Sequence, residues 1–351
     1  MEPPRLAQRG RAAIDFHCGV RAAAGRLQAG VEQELAAQSL TAATLPDDMD
    51  DRHQVIDAAL EGYDPYRVRA LLVEWTAKDH GPTALRAFEE IRHEIDPVLA
   101  RLDEGPATLE LDPDLEIPTY FSRVWFHRTT GGWDASPDNG YVHGELIHKF
   151  IITKAFGANI FALRRKVAEQ APRRDYTRIL DMGASSGHFT LALAETFPGA
   201  AITGIDFSPR MLEHAKRTAN EAGLPWALHQ RAAEDTKFAD GSFDLVASYN
   251  LLHELPPKII KAIFAEALRV LEPGGHMVMA DVPRYADLDK LASWRFDWMA
   301  RWGGEPYWRS SATMDLKAAA ESVGFTDVEA YALPGGQPYL VRGRKPEGTA
   351  Q

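Results

Sequence analysis

The sequence predicts an α/β fold: a doubly wound, seven-stranded, mostly parallel sheet ending in an antiparallel hairpin, preceded by an all-helical N-terminal region. Three observations predict it. From Tyr176 onward, short apolar runs alternate with helical patterns, as in a parallel sheet covered on both faces. Near the C-terminus, two strand-like runs are joined by Pro334-Gly-Gly-Gln337, a turn sequence that closes a hairpin. Before about residue 110, apolar residues recur at helical rather than alternating spacing.

The chain divides into three regions. Residues 1–110 read as helical. The stretch Arg5 to Leu40 carries Ile14, Val20, Leu27, Val31 and Leu35 at helical intervals, and the acids Asp48 to Asp51 break this helix and cap the next. Helices are then expected over Val55–Glu61, over Tyr66–Ala77 with Val68, Leu71, Leu72 and Trp75, and over Thr83–Leu102, where Pro97 should introduce a kink. Proline and acids in Asp103–Pro118 read as a linker. Residues 111–175 form an aromatic and histidine-rich capping segment, followed by one long helix from Gly144 to Glu169 that stops before Pro172. Residues 176–345 carry the sheet. Its strands are expected at Arg178–Asp181, Ala201–Asp206, Ala227–Arg231, Phe243–Ser248, His276–Asp281, Asp327–Leu333 and Pro338–Gly343. Its helices are expected at Phe189–Thr196, Pro209–Ala222, Lys258–Val270 and Ala312–Val323.

Composition narrows the function classes. The chain has 351 residues, 45% of them hydrophobic and 25% charged, in the range of globular proteins. A net charge of −11 argues against a nucleic-acid partner, which demands a basic face. The basic run Arg164-Arg165-Lys166 reads as a solvated helix surface. Cys18 is the single cysteine, so there is neither an intrachain disulfide nor a cysteine metal cluster, and a cytoplasmic location fits. No apolar run reaches about 18 residues, so no membrane helix is expected. No metal site is expected either: His143 and His148 are five apart, whereas two ligands on an α-helix align at four.

The informative stretch is Arg178-Ile-Leu-Asp-Met-Gly-Ala-Ser-Ser-Gly-His-Phe-Thr190, a buried strand that ends in an acid and turns through glycines into a helix. The next apolar run ends in Asp206. An acid at the tips of two successive strands, with a glycine loop between them, is how such a sheet holds a nucleoside. The order D-x-G-x-S-x-G is not the G-x-G-x-x-G of a dinucleotide site: beside Asp181 a cation sits well and an anion poorly. This resembles the first motif of class I S-adenosylmethionine-dependent methyltransferases, with Ser185 in place of the middle glycine. The resemblance runs from about Tyr176 to Lys345.

The resemblance implies S-adenosylmethionine as cofactor and gives roles to residues. Asp181 faces the cofactor's ammonium, Gly183, Ser185 and Gly187 form the loop around its amino-acid end, and Asp206 takes both ribose hydroxyls. Phe207 lies against the adenine. Met211, in a segment similar to the family's S-x-x-M-L, reads as a helix-face core residue. Where the family has Asp-Ala-Glu after the third strand, this chain has Ala232-Ala233-Glu234, so backbone groups of Ala233 or Glu234 stand in for the aspartate. Asn250, just past the fourth strand, contacts the cofactor through its backbone. His253 with Glu254 resembles the Leu-His-Asp segment of aromatic O-methyltransferases, whose histidine deprotonates a phenol, a task suited to an imidazole. Trp125, Trp133 and Tyr141 from the capping segment, with Trp298 and Trp302 from the tryptophan-rich segment before the last helix, are the candidate walls of a pocket for a flat substrate. The alternative for each is core packing. Arg295, Arg301 and Arg309 are weighed as partners of a substrate carboxylate against a solvated role.

The expected activity is methylation of a small aromatic or quinone-like molecule, with oxygen as the favoured acceptor atom on the strength of His253. The alternatives are carbon methylation of a quinone precursor and a catalytically silent nucleoside-binding relative. A nicotinamide-dependent oxidoreductase is a third, opposed by the missing G-x-G-x-x-G. By analogy with many small-molecule methyltransferases, the helical region is expected to support a homodimer.

Overall fold

The computed structural model describes residues 3–128, 132–156 and 160–347. At its centre lies one eight-stranded sheet in the order β1-β4-β3-β2-β5-β6-β8-β7. The strands are β1 (Thr108–Glu110), β2 (Arg178–Met182), β3 (Ala201–Asp206), β4 (Ala227–Gln230), β5 (Phe243–Tyr249), β6 (Leu271–Asp281), β7 (Thr326–Ala332) and β8 (Tyr339–Arg344). Pairing is parallel from β1 through β6, and β8 runs antiparallel to both β6 and β7. The chain steps outward from β2 to β3 and β4, then returns to place β5 on the other side of β2. The crevice for a ligand therefore lies at the C-terminal ends of β2 and β5.

The expected seven strands are present, and β1 is an eighth, found in the stretch read as a linker. Thr108, Leu109 and Glu110 pair with Ala227, Leu228 and His229. Three residues are too short to show a period. What fixes β1 is local hydrogen bonding: Thr108 N–H donates to Trp226 O, and the Asn220 side chain accepts from Ala107 N–H and donates to Leu102 O.

Two apolar layers sandwich the sheet because its central strands alternate. Leu180, Met182, Val246, Met277 and Met279 face a layer closed by Ile263, Phe264, Ala319 and Ala320. Ile179, Ile202, Leu228, Leu245 and Val278 face a layer closed by Phe189, Leu193, Leu212 and Ala215. These come from helices α5 (His188–Thr196), α6 (Pro209–Glu221), α7 (Pro257–Val270) and α9 (Leu316–Val323). They come after α1 (Gln8–Ala37), α2 (Met49–Ala59), α3 (Asp64–Leu102) and α4 (Ile160–Ala168) in the chain, and α8 (Lys290–Gly303) lies between α7 and α9. Ser208 Oγ caps α6 by accepting from Met211 N–H, and Asp289 and Asp315 cap α8 and α9.

Two helical expectations change. The stretches read as separate helices over Tyr66–Ala77 and Thr83–Leu102 are one 39-residue helix, α3, running through Pro82 and Pro97. Its apolar face is continuous: Ala70 and Val73 pack with Val31 and Leu35 of α1, while Ala84, Ala87 and Phe88 pack with Ile14. That burial outweighs the roughly 3 kcal/mol an internal proline costs. The single helix expected over Gly144–Glu169 is instead an 11-residue π-helix, Val142–Ile152, followed by a turn at Thr153–Phe156 and then α4. Its wider turn brings His143 and His148, five apart, to a ring-centroid distance of 4.4 Å.

Candidate active site

Four segments meet at the C-terminal edge of the sheet. Asp181, next to last in β2, is fully enclosed. Its Oδ2 accepts from the Thr190 hydroxyl at 2.6 Å, and its Oδ1 is buried without a hydrogen bond. Burial pushes its pKa up to about 7; the Asp206 charge adds to this, while Thr190 and Arg164 oppose it.

The loop after β2 is stitched to the end of β3. Gly183 and Ala184 N–H both donate to Ile205 O at 2.9 Å, and Ser185 N–H donates to Asp206 Oδ2 at 2.9 Å. Gly183, Ser185 and Gly187 all have positive φ, at 75°, 48° and 84°. The two glycines do different work. A Cβ at Gly183 would meet only the flexible Leu251 side chain, at 3.1 Å. A Cβ at Gly187 would lie 3.2 Å from Ala215 Cα and 3.0 Å from Trp226, so this glycine lets α5 close on α6 rather than opening the loop to a ligand.

Asp206, half-buried, is held at both oxygens by backbone: Ser185 N–H on Oδ2 and Ser208 N–H on Oδ1, each at 2.9 Å. Each carboxylate oxygen keeps a lone pair for a diol. Burial raises its pKa to about 6, against these two hydrogen bonds. Phe207 meets Phe121 edge-on at 5.0 Å, and Phe121 stacks on Phe126 at 5.1 Å. Ala233 is buried, and Glu234 Oε1 accepts from Tyr120 OH at 2.6 Å. The capping segment thus closes onto the tips of β3 and β4. Asn250 sits at φ 60°, and its N–H already donates to Ala280 O at 2.8 Å, so the contact it can offer a ligand is its carbonyl or side chain.

His253, in the short turn Leu252–Glu254 after β5, is buried. Its Nδ1 lies 2.8 Å from Asp281 Oδ1, and Asp281 also accepts from Leu252 N–H at 2.6 Å and Val282 N–H at 2.7 Å. Burial alone would depress this imidazole. The Asp281 charge and hydrogen bond, with Glu305 and Glu254 nearby, outweigh it and push the pKa up to about 9. Sequence reasoning missed Asp281, although the signal was there: it ends its strand in an acid, as β3 does. It also missed His127, whose Nδ1 lies 2.8 Å from Glu305 Oε1 and whose Nε2 lies 3.4 Å from Glu254 Oε1. Burial lowers the His127 pKa, but the two carboxylates raise it well above the ordinary value. His127 and Arg128 adopt φ 48° and 53°, held by His127 N–H on Gly304 O and by Arg128 on the carbonyls of Trp302 and Arg301.

The aromatic walls expected from sequence are mostly elsewhere. Tyr141 is core, packed on Phe88 and His214. Trp298 is 1% exposed inside the N-terminal helical layer, with the Arg69 guanidinium 3.8 Å from its ring centroid and its Nε1 donating to Tyr66 OH at 2.7 Å. Trp302 packs on Trp298, and Trp294 shares that cluster. Tryptophan density here ties α8 to α1–α3, away from the crevice at the sheet edge. Trp125 is 54% exposed, and the side chain of Trp133 lies outside the described residues. Trp308 is the tryptophan that meets His253, edge-on at 5.3 Å. Arg295 pairs with Glu32 and Arg309 with Asp297. Met211 is buried core. Among the described residues no three His, Cys, Asp or Glu side chains are arranged to hold a metal ion, and no helix is long and apolar enough to cross a membrane.

Residues 179–275 match a methyltransferase domain family. An uncharacterized methyltransferase of Synechocystis is 32% identical over 174 residues, covering 48% of this chain and 75% of that one. The demethylmenaquinone methyltransferase of Thermus thermophilus is 36% identical over 132 residues, covering 37% of this chain and 57% of that one. Among solved structures, phosphoethanolamine N-methyltransferase 2 of Haemonchus contortus in complex with S-adenosyl-L-methionine is 16% identical, with 53% of each chain covered and a TM-score of 0.44.

Proposed function

Because the chain belongs to the methyltransferase family, whose methyl donor is S-adenosylmethionine, we propose that it methylates a small aromatic or quinone-like molecule, with oxygen as the acceptor atom. The observation that carries the oxygen assignment is the 2.8 Å contact between His253 and Asp281 at the sheet edge. A carboxylate on Nδ1 fixes the tautomer and aims Nε2, the arrangement a general base requires.

The residues present fit the cofactor. Asp181 Oδ1 is a buried acceptor without a donor, suited to an ammonium, and Asp206 is aligned for a diol. Phe207 and the backbone at Ala233 and Glu234 would border the adenine. When bound, the cofactor supplies a methyl group on a sulfonium, already activated for in-line transfer. The protein's share is then to hold the acceptor in line, exclude water and manage the acceptor's proton. His253 receives that proton in its deprotonated form, whose share grows as pH rises toward about 9, while Glu254 and His127 close the site from the capping side.

One observation favours carbon methylation as a second reading. An imidazole with a pKa near 9 carries its proton at neutral pH and would stabilise an oxyanion next to a nucleophilic carbon. A small acceptor rather than a nucleic acid is supported by the net charge of −11. A homodimer, by analogy, and a cytoplasmic location, from the single Cys18, complete the proposal.

The test is calorimetric titration of S-adenosylmethionine into the wild type and Asp206→Ala, followed by an acceptor screen of phenols and quinols with the methyl position read by NMR. Binding to the wild type that weakens at least about tenfold in the variant is expected, since a bidentate carboxylate–diol contact is lost. A folded wild type that binds no S-adenosylmethionine refutes the proposal. A product methylated on carbon selects the second reading.

A further inference from the structure

The basic run Arg164-Arg165-Lys166 reads as a solvated surface, yet Arg164 turns inward and is buried, while Arg165 pairs with Glu195 at the surface. The Arg164 guanidinium lies 4.9 Å from the ring centroid of Tyr249 and 5.5 Å from that of Phe161, with one nitrogen 3.5 Å from His148 Nε2. Tyr249 ends β5, which pairs with β2 at Asp181↔Ala247, so Arg164 reaches the switch point of the sheet. Arg164 and Asp181 feel each other's charge.

Rings surround this cation. His148 meets His188 edge-on at 5.2 Å and His143 at 4.4 Å, and Phe161 meets His188 at 4.9 Å. Burial holds all three imidazoles below the ordinary histidine range, so each is neutral at pH 7 and the positive charge in this nest is the guanidinium. His188 opens α5 directly after the Gly187 turn, and its Nε2 is buried without a hydrogen bond, as is Asp181 Oδ1. A buried cation, an imidazole nitrogen awaiting a partner and a buried carboxylate oxygen thus flank the loop between β2 and α5.

An amino-acid end is a zwitterion, and Asp181 answers only its ammonium. We propose that Arg164, assisted by His188, binds the α-carboxylate of the cofactor's amino-acid end, across from Asp181. This rests on the methyltransferase reading and adds to it a subsite built by α4 and the first residue of α5. The unusual backbone upstream has a purpose in this account: the π-helix sets His148 against both Arg164 and His188.

The test compares two nucleosides by calorimetry, S-adenosylhomocysteine and 5′-methylthioadenosine, which lacks the amino-acid end. Arg164→Met is expected to weaken S-adenosylhomocysteine about 10- to 100-fold, the range for a buried charge-assisted contact, and to leave 5′-methylthioadenosine within about twofold. Unchanged S-adenosylhomocysteine affinity overturns the assignment. Loss of both nucleosides moves the decision to Arg164→Lys, which keeps the charge with a different reach: selective weakening of S-adenosylhomocysteine supports the assignment, and parallel or absent weakening overturns it. A folded wild type that binds neither nucleoside overturns the methyltransferase reading itself, a result distinct from any of these.

Discussion

Replacing Asp181 by Asn should make the ligand-free protein more stable and the nucleoside complex weaker, and the gain in stability should grow with pH. The native carboxylate keeps its proton up to about pH 7 because it is buried with one oxygen unpartnered, whereas in the unfolded chain it ionises near 3.8. Between these values the native state binds more protons than the unfolded state, so stability from this group is present at low pH and lost as pH rises through about 7. The difference is about three pKa units, which at about 1.4 kcal/mol each gives ~4 kcal/mol of destabilisation above pH 7. At pH 5 only about 1–2 kcal/mol of that has developed. Asparagine has no charge to lose and still offers an oxygen to the Thr190 hydroxyl. Guanidinium unfolding of both proteins, without nucleoside, should therefore show a stability gap that widens by about 2–3 kcal/mol from pH 5 to pH 8. Titrating groups that do not interact with Asp181 cancel in the difference, and Asp206, whose charge raises the Asp181 pKa, contributes to it. A gap that stays constant over that range would refute the claim that Asp181 is held protonated. A variant that is stabilised and yet binds S-adenosylhomocysteine as tightly as the wild type would refute the ammonium contact.

Three further outcomes are expected. Asp281→Asn should lower the His253 pKa from about 9 by at least about one unit, measured by NMR titration of the imidazole, because this carboxylate opposes burial there more than Glu305 or Glu254 does; an unchanged titration would remove Asp281 as the orienting partner. Gly140→Ala should cost about 2–4 kcal/mol in chemical denaturation, because its Cβ would fall 2.0 Å from Arg210 O and 2.9 Å from His214 Cβ, while Gly19→Ala, with nothing within 4 Å, should be neutral or slightly stabilising. Glu145→Gln should cost about 3 kcal/mol or more by the same measurement, since Glu145 is 1% exposed and joins Lys149 at 2.6 Å to His214 at 3.2 Å; a loss below about 1 kcal/mol would show the triad to be dispensable.

The sheet was legible because strands buried on both faces carry unbroken apolar runs between polar ends: Ile179-Leu180 in β2 and Leu245–Ala247 in β5. Other features depend on partners distant in sequence. β1 exists because Trp226 and Asn220 hold its flanks. α3 crosses Pro82 because α1 supplies a continuous apolar face. Trp298 reads as a pocket wall because an aromatic at helical spacing fits a lid and a core equally well, and only Tyr66 and Arg69, more than two hundred residues away, decide between them. Arg164 reads as surface because a run of three bases hides which one faces inward. That depends on how a short helix packs on α5 and on β5, which lie further along the chain.

The strand-end acids obey a common logic. Asp181, fully enclosed, and Asp206, half-buried, have no cationic side chain in direct contact, and both are held with raised pKa values. Asp281, equally enclosed, has His253 beside it. Burying carboxylates costs free energy unless something positive arrives or the proton stays. Where the protein provides its own cation, as at Asp281, the pair is a finished device whose product is an oriented imidazole. Where it leaves the acid waiting, as at Asp181, the cost is relieved by a ligand that brings an ammonium, and the same burial that destabilises the empty site strengthens the contact once made. In the proposed function, the division between the two kinds of acid separates the part of the site assigned to the nucleoside from the part assigned to the acceptor's proton.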